Sequence, residues 1–277
     1  TRNFCENFLK RFGVETTYFD PMDSAGVKDH FRPNSKVIYV EAPGSHTFEV
    51  MDVGAIAGAA HDAGIKVVMD NTWSAGYFFK PFEHGVDVAV QAATKYHVGH
   101  SDAMLGAVTV LNDDLESVMA SVRQLGYHAA PDDAYLGLRG MRTMSVRLQR
   151  HQTNALKLAE WLAGRPEIAR VLHPAMADCP GHENWKRDFT GSSGLFGVVM
   201  KPAPKAAVHA LVDALQLFGL GGSWGGFESL VLPTNVTRTA SSLPGDGPMV
   251  RFHVGLEDPD DLIEDLSAGL DAFNGRL

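Results

Sequence analysis

Short apolar blocks separated by polar, turn-rich stretches dominate the first half of the chain. Lys36-Val-Ile-Tyr-Val40 reads as a strand and runs out into the loop Glu41-Ala-Pro-Gly-Ser45. Asp52 to Ala63 carries small residues at helical spacing and is stopped by Gly64. A second apolar strand, Ile65-Lys-Val-Val-Met69, ends at Asp70, and a third, Val86-Asp-Val-Ala-Val90, runs into Gln91. Between them lies a loop rich in aromatic residues (Trp73, Tyr77, Phe78, Phe79), and Ala103 to Val110 supplies a further strand. Strands alternating with helices predict an α/β sheet whose strands run mostly parallel between helices.

From Asp132 to Leu162 the period changes to that of a long helix, apolar at Leu136, Leu138, Met141, Met144 and Leu148, with a break expected at Gly140. A helix of this length suits a link between domains. The chain is therefore divided into residues 1–140, a large α/β domain, and 141–277, a smaller α+β domain. In the second part Gly194 to Met200, Ser229 to Leu232 and Met249 to Val254 read as strands and Pro204 to Leu215 as a helix. Asp258 caps a terminal helix with Pro259 at its first position.

Composition narrows the partners. With 277 residues, 45% of them hydrophobic, the chain can bury a large core. Its 24 basic and 33 acidic residues give a net charge of −9, which argues against nucleic acid. No apolar run approaches the roughly 20 residues needed to cross a bilayer. Two cysteines, Cys5 and Cys179, exclude a disulfide framework and fit a reducing cytoplasm. The chain starts at Thr1, without methionine and without a secretory layout, so it is expected to be processed, cut or incomplete.

The candidate chemistry sits at two strand ends. Asp70 opens Asp70-Asn-Thr-Trp73, and Lys95 lies in Gln91-Ala-Ala-Thr-Lys-Tyr96. Folds of this kind bind ligands at the carboxyl ends of their strands. A lysine and a carboxylate converging there suit pyridoxal 5′-phosphate (PLP): the amine bonds the cofactor, and the acid keeps the pyridine nitrogen protonated. The ordinary alternatives are a lysine that has reached solvent and a turn aspartate that ends a strand. Thr94 and the turn Gly99-His-Ser-Asp102 could face a phosphate. Alternation in Val250-Arg-Phe-His-Val254 puts Arg251 and His253 on one face, where Arg251 is either a bidentate carboxylate ligand or an edge-strand charge. Gly221-Gly-Ser-Trp-Gly-Gly226 is a tight loop or a close backbone approach that presents Ser223 and Trp224.

Other patterns carry less. Cys179 and His182 have no second pair to complete a metal site, and no metal is expected. His97, His100 and His173 read as turn or core residues, and Arg139, Arg142, Arg147 and Arg150 as a solvated or subunit-contacting helix face.

Over essentially all 277 residues the chain resembles the Cys/Met-metabolism PLP enzymes of fold type I. The likeness is carried by Asp70–Trp73, Gln91–Asp102, Arg187-Asp-Phe-Thr-Gly-Ser-Ser-Gly-Leu-Phe196, Ser223-Trp-Gly-Gly-Phe-Glu-Ser-Leu230 and Arg251-Phe-His-Val-Gly-Leu-Glu-Asp258. Gln91-Ala-Ala before the lysine motif and the Ser-Trp-Gly-Gly loop favour the bacterial cystathionine β-lyase branch. The resemblance implies that Lys95 carries PLP and is the catalytic base, that Asp70 pairs with the pyridine nitrogen, and that Thr94 meets the phosphate. It implies that Arg251, Ser223 and Trp224 bind the amino-acid substrate. Many relatives have a serine where this chain has Ala92, and Ser45 stands where many have an asparagine near the cofactor's 3′-oxygen. The implied reaction is β-elimination of cystathionine to homocysteine, pyruvate and ammonia in methionine biosynthesis, by a cytoplasmic homotetramer. Other carbon–sulfur lyase activities (cysteine desulfhydrase, γ-lyase, γ-synthase) remain open. Family members also have a further N-terminal segment that is not in this chain, so a catalytically silent piece is a third expectation.

Overall fold

The computed structural model describes residues 1–277, except the side chains of Asn112 and Asp113. Its first sheet has four strands in the order β1 (Val37–Glu41), β2 (Lys66–Asp70), β3 (Val88–Gln91) and β4 (Ala107–Val110). The first three run parallel and β4 returns antiparallel, paired Val90 to Val108. Glu41 stands opposite Asp70, and Asp70 opposite Val90, so the three parallel strands end at one edge of the sheet. Helix α1 (Val53–Asp62) covers one face: Asp52 caps it by accepting Ala55 N–H at 2.9 Å, and Val53, Ile56, Ala57 and Ala60 are buried. The alternation is real on this sheet, for Ile38 and Val40 are buried while Val37 and Tyr39 remain exposed.

After α2 (Asn112–Leu125) come α3 (Pro131–Met141) and α4 (Met144–Ala163). The long helix predicted over Asp132 to Leu162 is thus two helices, and the break falls at Arg142–Thr143 rather than at Gly140. Gly140 stays helical because the backbone of the lysine turn rests on it: a Cβ there would lie 2.2 Å from His97 O and 2.3 Å from Val98 O.

The second sheet has five strands, in the order β5 (Ile168–Leu172), β6 (Leu195–Met200), β9 (Met249–His253), β8 (Leu230–Thr234) and β7 (Gly219–Leu220). All neighbours are antiparallel except the pair β7 and β8. Helices α4, α6 (Lys205–Ala214) and α7 (Pro259–Asn274) pack on it, with Leu262, Leu266, Leu270 and Phe273 of α7 all buried. Burying each such side chain contributes about 1.5–3 kcal/mol. Between β5 and β6 the short helix α5 (His182–Asp188) and the turn after it lie against the first sheet. Trp73 donates to Leu195 O (2.9 Å), Thr190 to Phe78 O (2.9 Å), and Tyr96 accepts Gly194 N–H (3.0 Å). These bonds seat the first sheet's carboxyl edge against the mouth of the second.

Among the described residues no helix is long and apolar enough to cross a membrane. Among the described residues no cluster of histidine, cysteine and acidic side chains could hold a metal, and Cys179 is a buried thiol pushed up to about 12 by burial.

Candidate active site

Strand β3 ends at Gln91, and the chain turns at once: Lys95 N–H donates to Ala92 O (2.9 Å) and Gly99 N–H to Lys95 O (2.8 Å). That turn leaves the Lys95 side chain half-buried, at the carboxyl edge of the parallel strands. Its Nζ donates to Ser223 Oγ at 2.7 Å and sits 5.3 Å from the centre of the Trp224 ring. Among the described residues no carboxylate pairs with it. Burial, and then the charge of Arg251, push its pKa below that of an ordinary lysine. Such an amine gives up its proton more readily and becomes a nucleophile and base.

Ser223 and Trp224 come from the glycine-rich loop between β7 and β8. The loop reaches Lys95 because Gly225 adopts φ +82°, and a Cβ there would lie only 2.9 Å from Lys95 Cα. Arg251 holds the loop from β9, where Nη2 donates to Gly222 O (2.9 Å) and Ser223 O (3.1 Å). β9 lies between β6 and β8, so the edge-strand alternative for Arg251 is overturned: the residue is interior, with 6% of its surface exposed. Lys95, Ser223, Trp224 and Arg251 are one cluster.

Asp70 stands at the neighbouring strand end. Its Oδ1 accepts Thr72 N–H (2.9 Å) and Thr72 Oγ (2.5 Å), which is the turn bond of the ordinary reading, while Oδ2 has only a long 3.5 Å contact from Tyr39. Turn bonding therefore fixes one oxygen of the carboxylate and leaves the other without a close partner among the described residues. Glu41 lies beside it, hydrogen-bonded by the exposed Ser45, and burial together with the Asp70 charge lifts its carboxyl to about 7. Burial and Asp70 likewise push the Tyr39 hydroxyl up to about 12. Thr94 accepts Leu105 N–H at 2.8 Å and keeps a weaker 3.2 Å bond to Leu105 O. An open cleft of about 580 Å³ runs from Thr94, Ser223 and Trp224 past Asp102, Asp133 and Glu228. Asp70 does not line it.

Three residues near the site carried no functional signal in the sequence. Tyr39 and Glu41 matter through register across the sheet, which no local pattern shows. Arg147 contradicts the solvated helix face: it is buried, and its Nη2 donates to Tyr96 O and Gly140 O at 2.8 Å each. The remaining arginines of that stripe, Arg139, Arg142 and Arg150, are exposed.

Residues 1–271 match the family described as Cys/Met metabolism PLP-dependent enzyme. The chain belongs to this family. It is 48% identical to a putative cystathionine β-lyase of Rhizobium johnstonii and 45% identical to cystathionine β-lyase MetC of Escherichia coli. Each alignment covers 97–98% of this chain and 70% of the relative. A crystal structure of metB from Corynebacterium glutamicum superposes with a TM-score of 0.91 at 30% identity, over 98% of this chain and 71% of that one. The fold is accordingly that of a PLP-dependent α/β enzyme, and the family's cofactor is PLP. The residues present fit such a group. An amine with lowered pKa, held by a neutral hydroxyl instead of an ion pair, suits a bond to an aldehyde. A carboxylate with one oxygen fixed by the turn and the other without a close partner among the described residues suits a protonated ring nitrogen.

Proposed function

We propose that this family member is a carbon–sulfur lyase that carries PLP on Lys95 and cleaves cystathionine by β-elimination. The observation that carries the reading is the cluster in which Lys95 Nζ meets Ser223 Oγ at 2.7 Å while Arg251 grips the backbone of that same loop. The names of its relatives in Rhizobium johnstonii and Escherichia coli support the choice of cystathionine.

In this reading Asp70 keeps a proton on the ring nitrogen, Thr94 meets the phosphate, and Ser45 lies near the ring oxygen beside Glu41. Bound PLP supplies an electron sink for the pair left when the substrate Cα–H bond breaks. Arg251 takes the α-carboxylate, whose two oxygens match its planar donors. Ser223 orients the amine of Lys95, and Trp224 walls the space above it. Freed when the substrate amine takes its place on the cofactor, Lys95 Nζ would take the α-proton and return it to the sulfur as the Cβ–S bond breaks, releasing homocysteine. The remaining three-carbon enamine adds water and yields pyruvate and ammonia. The reading further proposes a division of the chain near Gly140, a reducing cytoplasmic setting consistent with the free Cys5 and Cys179, and assembly as a homotetramer.

Positioned proton transfer contributes roughly a hundred- to ten-thousand-fold, so Lys95→Ala is expected to lose at least that much in kcat, together with covalent retention of the cofactor. Two measurements decide. Borohydride reduction and peptide mapping should mark Lys95, and a mark elsewhere overturns the site. Pyruvate should form from cystathionine; 2-oxobutyrate in its place would make the enzyme a γ-lyase.

A further inference from the structure

The side chains proposed to act on substrate leave one buried group on the same strand unused. His253 lies two residues beyond Arg251 on β9 and is fully buried. Its Nε2 accepts Gly225 N–H at 3.0 Å, with Gly226 O 3.2 Å away. Its ring lies against Tyr96 (centroids 6.2 Å apart) and His151 (5.1 Å), and its Nδ1 has no partner among the described residues. Burial, followed by the nearby His151, Arg251 and Lys95, holds the imidazole neutral, as an acceptor must be. The peptide it holds is the one that rests on Lys95, since Gly225 packs directly on the Lys95 backbone.

Arg251 holds the same loop through the carbonyls of Gly222 and Ser223. A substrate carboxylate on that guanidinium competes for those donors. The loop would then slacken at the moment Ser223 and Trp224 are needed beside Lys95. The bond from Gly225 to His253 touches no substrate and survives the exchange. We infer that His253 is a positioning residue, whose bond to Gly225 keeps the Ser223–Trp224 turn seated on Lys95 while Arg251 turns to the substrate. The inference rests on the carboxylate role proposed for Arg251.

Hydrogen–deuterium exchange of the peptide covering residues 219–228 tests it in the PLP-loaded enzyme, with and without saturating glycine, an amino acid that has the α-carboxylate but no β-leaving group. In the wild type the loop should stay protected in both states. In His253→Phe, glycine should speed its exchange roughly tenfold or more, the shift expected for one lost buried hydrogen bond. The cofactor absorbance should persist, and kcat should fall about tenfold with little change in KM. His253→Gln, whose amide reaches Gly225, should restore protection and kcat. If the phenylalanine variant does not fold, His253→Asn, which is too short to reach, carries the same expectation. Wild-type protection in the acceptor-less variant with glycine bound overturns the inference, even when cystathionine turns over normally. The expected exchange pattern in an enzyme that yields no pyruvate sinks the β-lyase reading instead.

Discussion

In the proposed reading, Arg251 is the single residue that decides most about substrate. Replacing it with lysine keeps the charge and removes the planar pair of donors. Charged hydrogen bonds contribute about 1.5–3 kcal/mol each, so Arg251→Lys should lower kcat/KM for cystathionine roughly a hundredfold, mostly through KM. Steady-state kinetics check this, and an unchanged KM would move the carboxylate site elsewhere. Lys95 and Asp70 stand out in the sequence as candidates because each follows an apolar strand, where a charge needs a reason, whereas pattern alone leaves Arg251 between a ligand and an edge charge. Arg147 does not stand out. Its spacing with Arg139, Arg142 and Arg150 looks like an exposed stripe, and only the fold shows Gly99 making room for it. Gly99 has φ +70°, and a Cβ there would stand 1.9 Å from the Arg147 guanidinium. The two residues are 48 positions apart (147 − 99), beyond any local pattern.

Elements with their own punctuation are legible nearly to the residue. Asp258 caps α7 by accepting Asp260 N–H at 2.9 Å, and α1 ends before Gly64 with its φ of +68°. The short strands β5 and β7 and the helix α5 lack such signals. β5 carries Arg170 midway and β7 has two residues, too few for a period to show. One connection depends on a buried acid with no sequence signature. Asp265, on the inner face of α7, accepts the N–H groups of Gln216 and Leu217 at 2.8 Å each and of Phe218 at 3.3 Å. It thereby satisfies the backbone that leads from α6 into β7. Asp265→Ala removes the acceptor of all three and leaves the N–H of Phe218 unpaired in the core, where a buried unpaired group costs about 1–3 kcal/mol. The variant should unfold at lower denaturant, losing about 2–4 kcal/mol, while folded enzyme keeps its KM because the change lies outside the substrate cluster. Denaturant titration beside kinetics checks both halves.

At the scale of the whole molecule, alternation of strand and helix made the α/β class legible, whereas the order of the second sheet was not. Its sequence β5-β6-β9-β8-β7 comes from pairings between distant segments, and so an interior arginine looked like an edge charge. Long-range packing also gathers histidines in the core, and this sets the response to acid. His151 and His173 are fully buried, and burial pushes both down to about 4. His151 spends its Nδ1 proton on Val254 O (2.7 Å), and His173 Nδ1 accepts Ala175 N–H (3.1 Å), so neither gains from a second proton. Because the unfolded chain binds protons on these rings from about pH 6.5, their stabilisation is complete above that value and is lost as pH falls towards 4. Glu41, raised to about 7, has the opposite sign: its contribution is greatest at low pH and fades as pH rises through 7. A tenfold difference in proton affinity between folded and unfolded chain corresponds to about 1.4 kcal/mol, so these two histidines outweigh one glutamate by about 3 kcal/mol, and the buried His253, likewise held neutral, adds to the same side. The net expectation is a midpoint of thermal unfolding that falls by about 5–10 °C between pH 6.5 and 4. His173→Gln keeps an acceptor for Ala175 N–H and removes one titrating ring. The fall should then shrink markedly in scans across this pH range, and an unaltered slope would mean that His173 does not stay neutral in the folded chain.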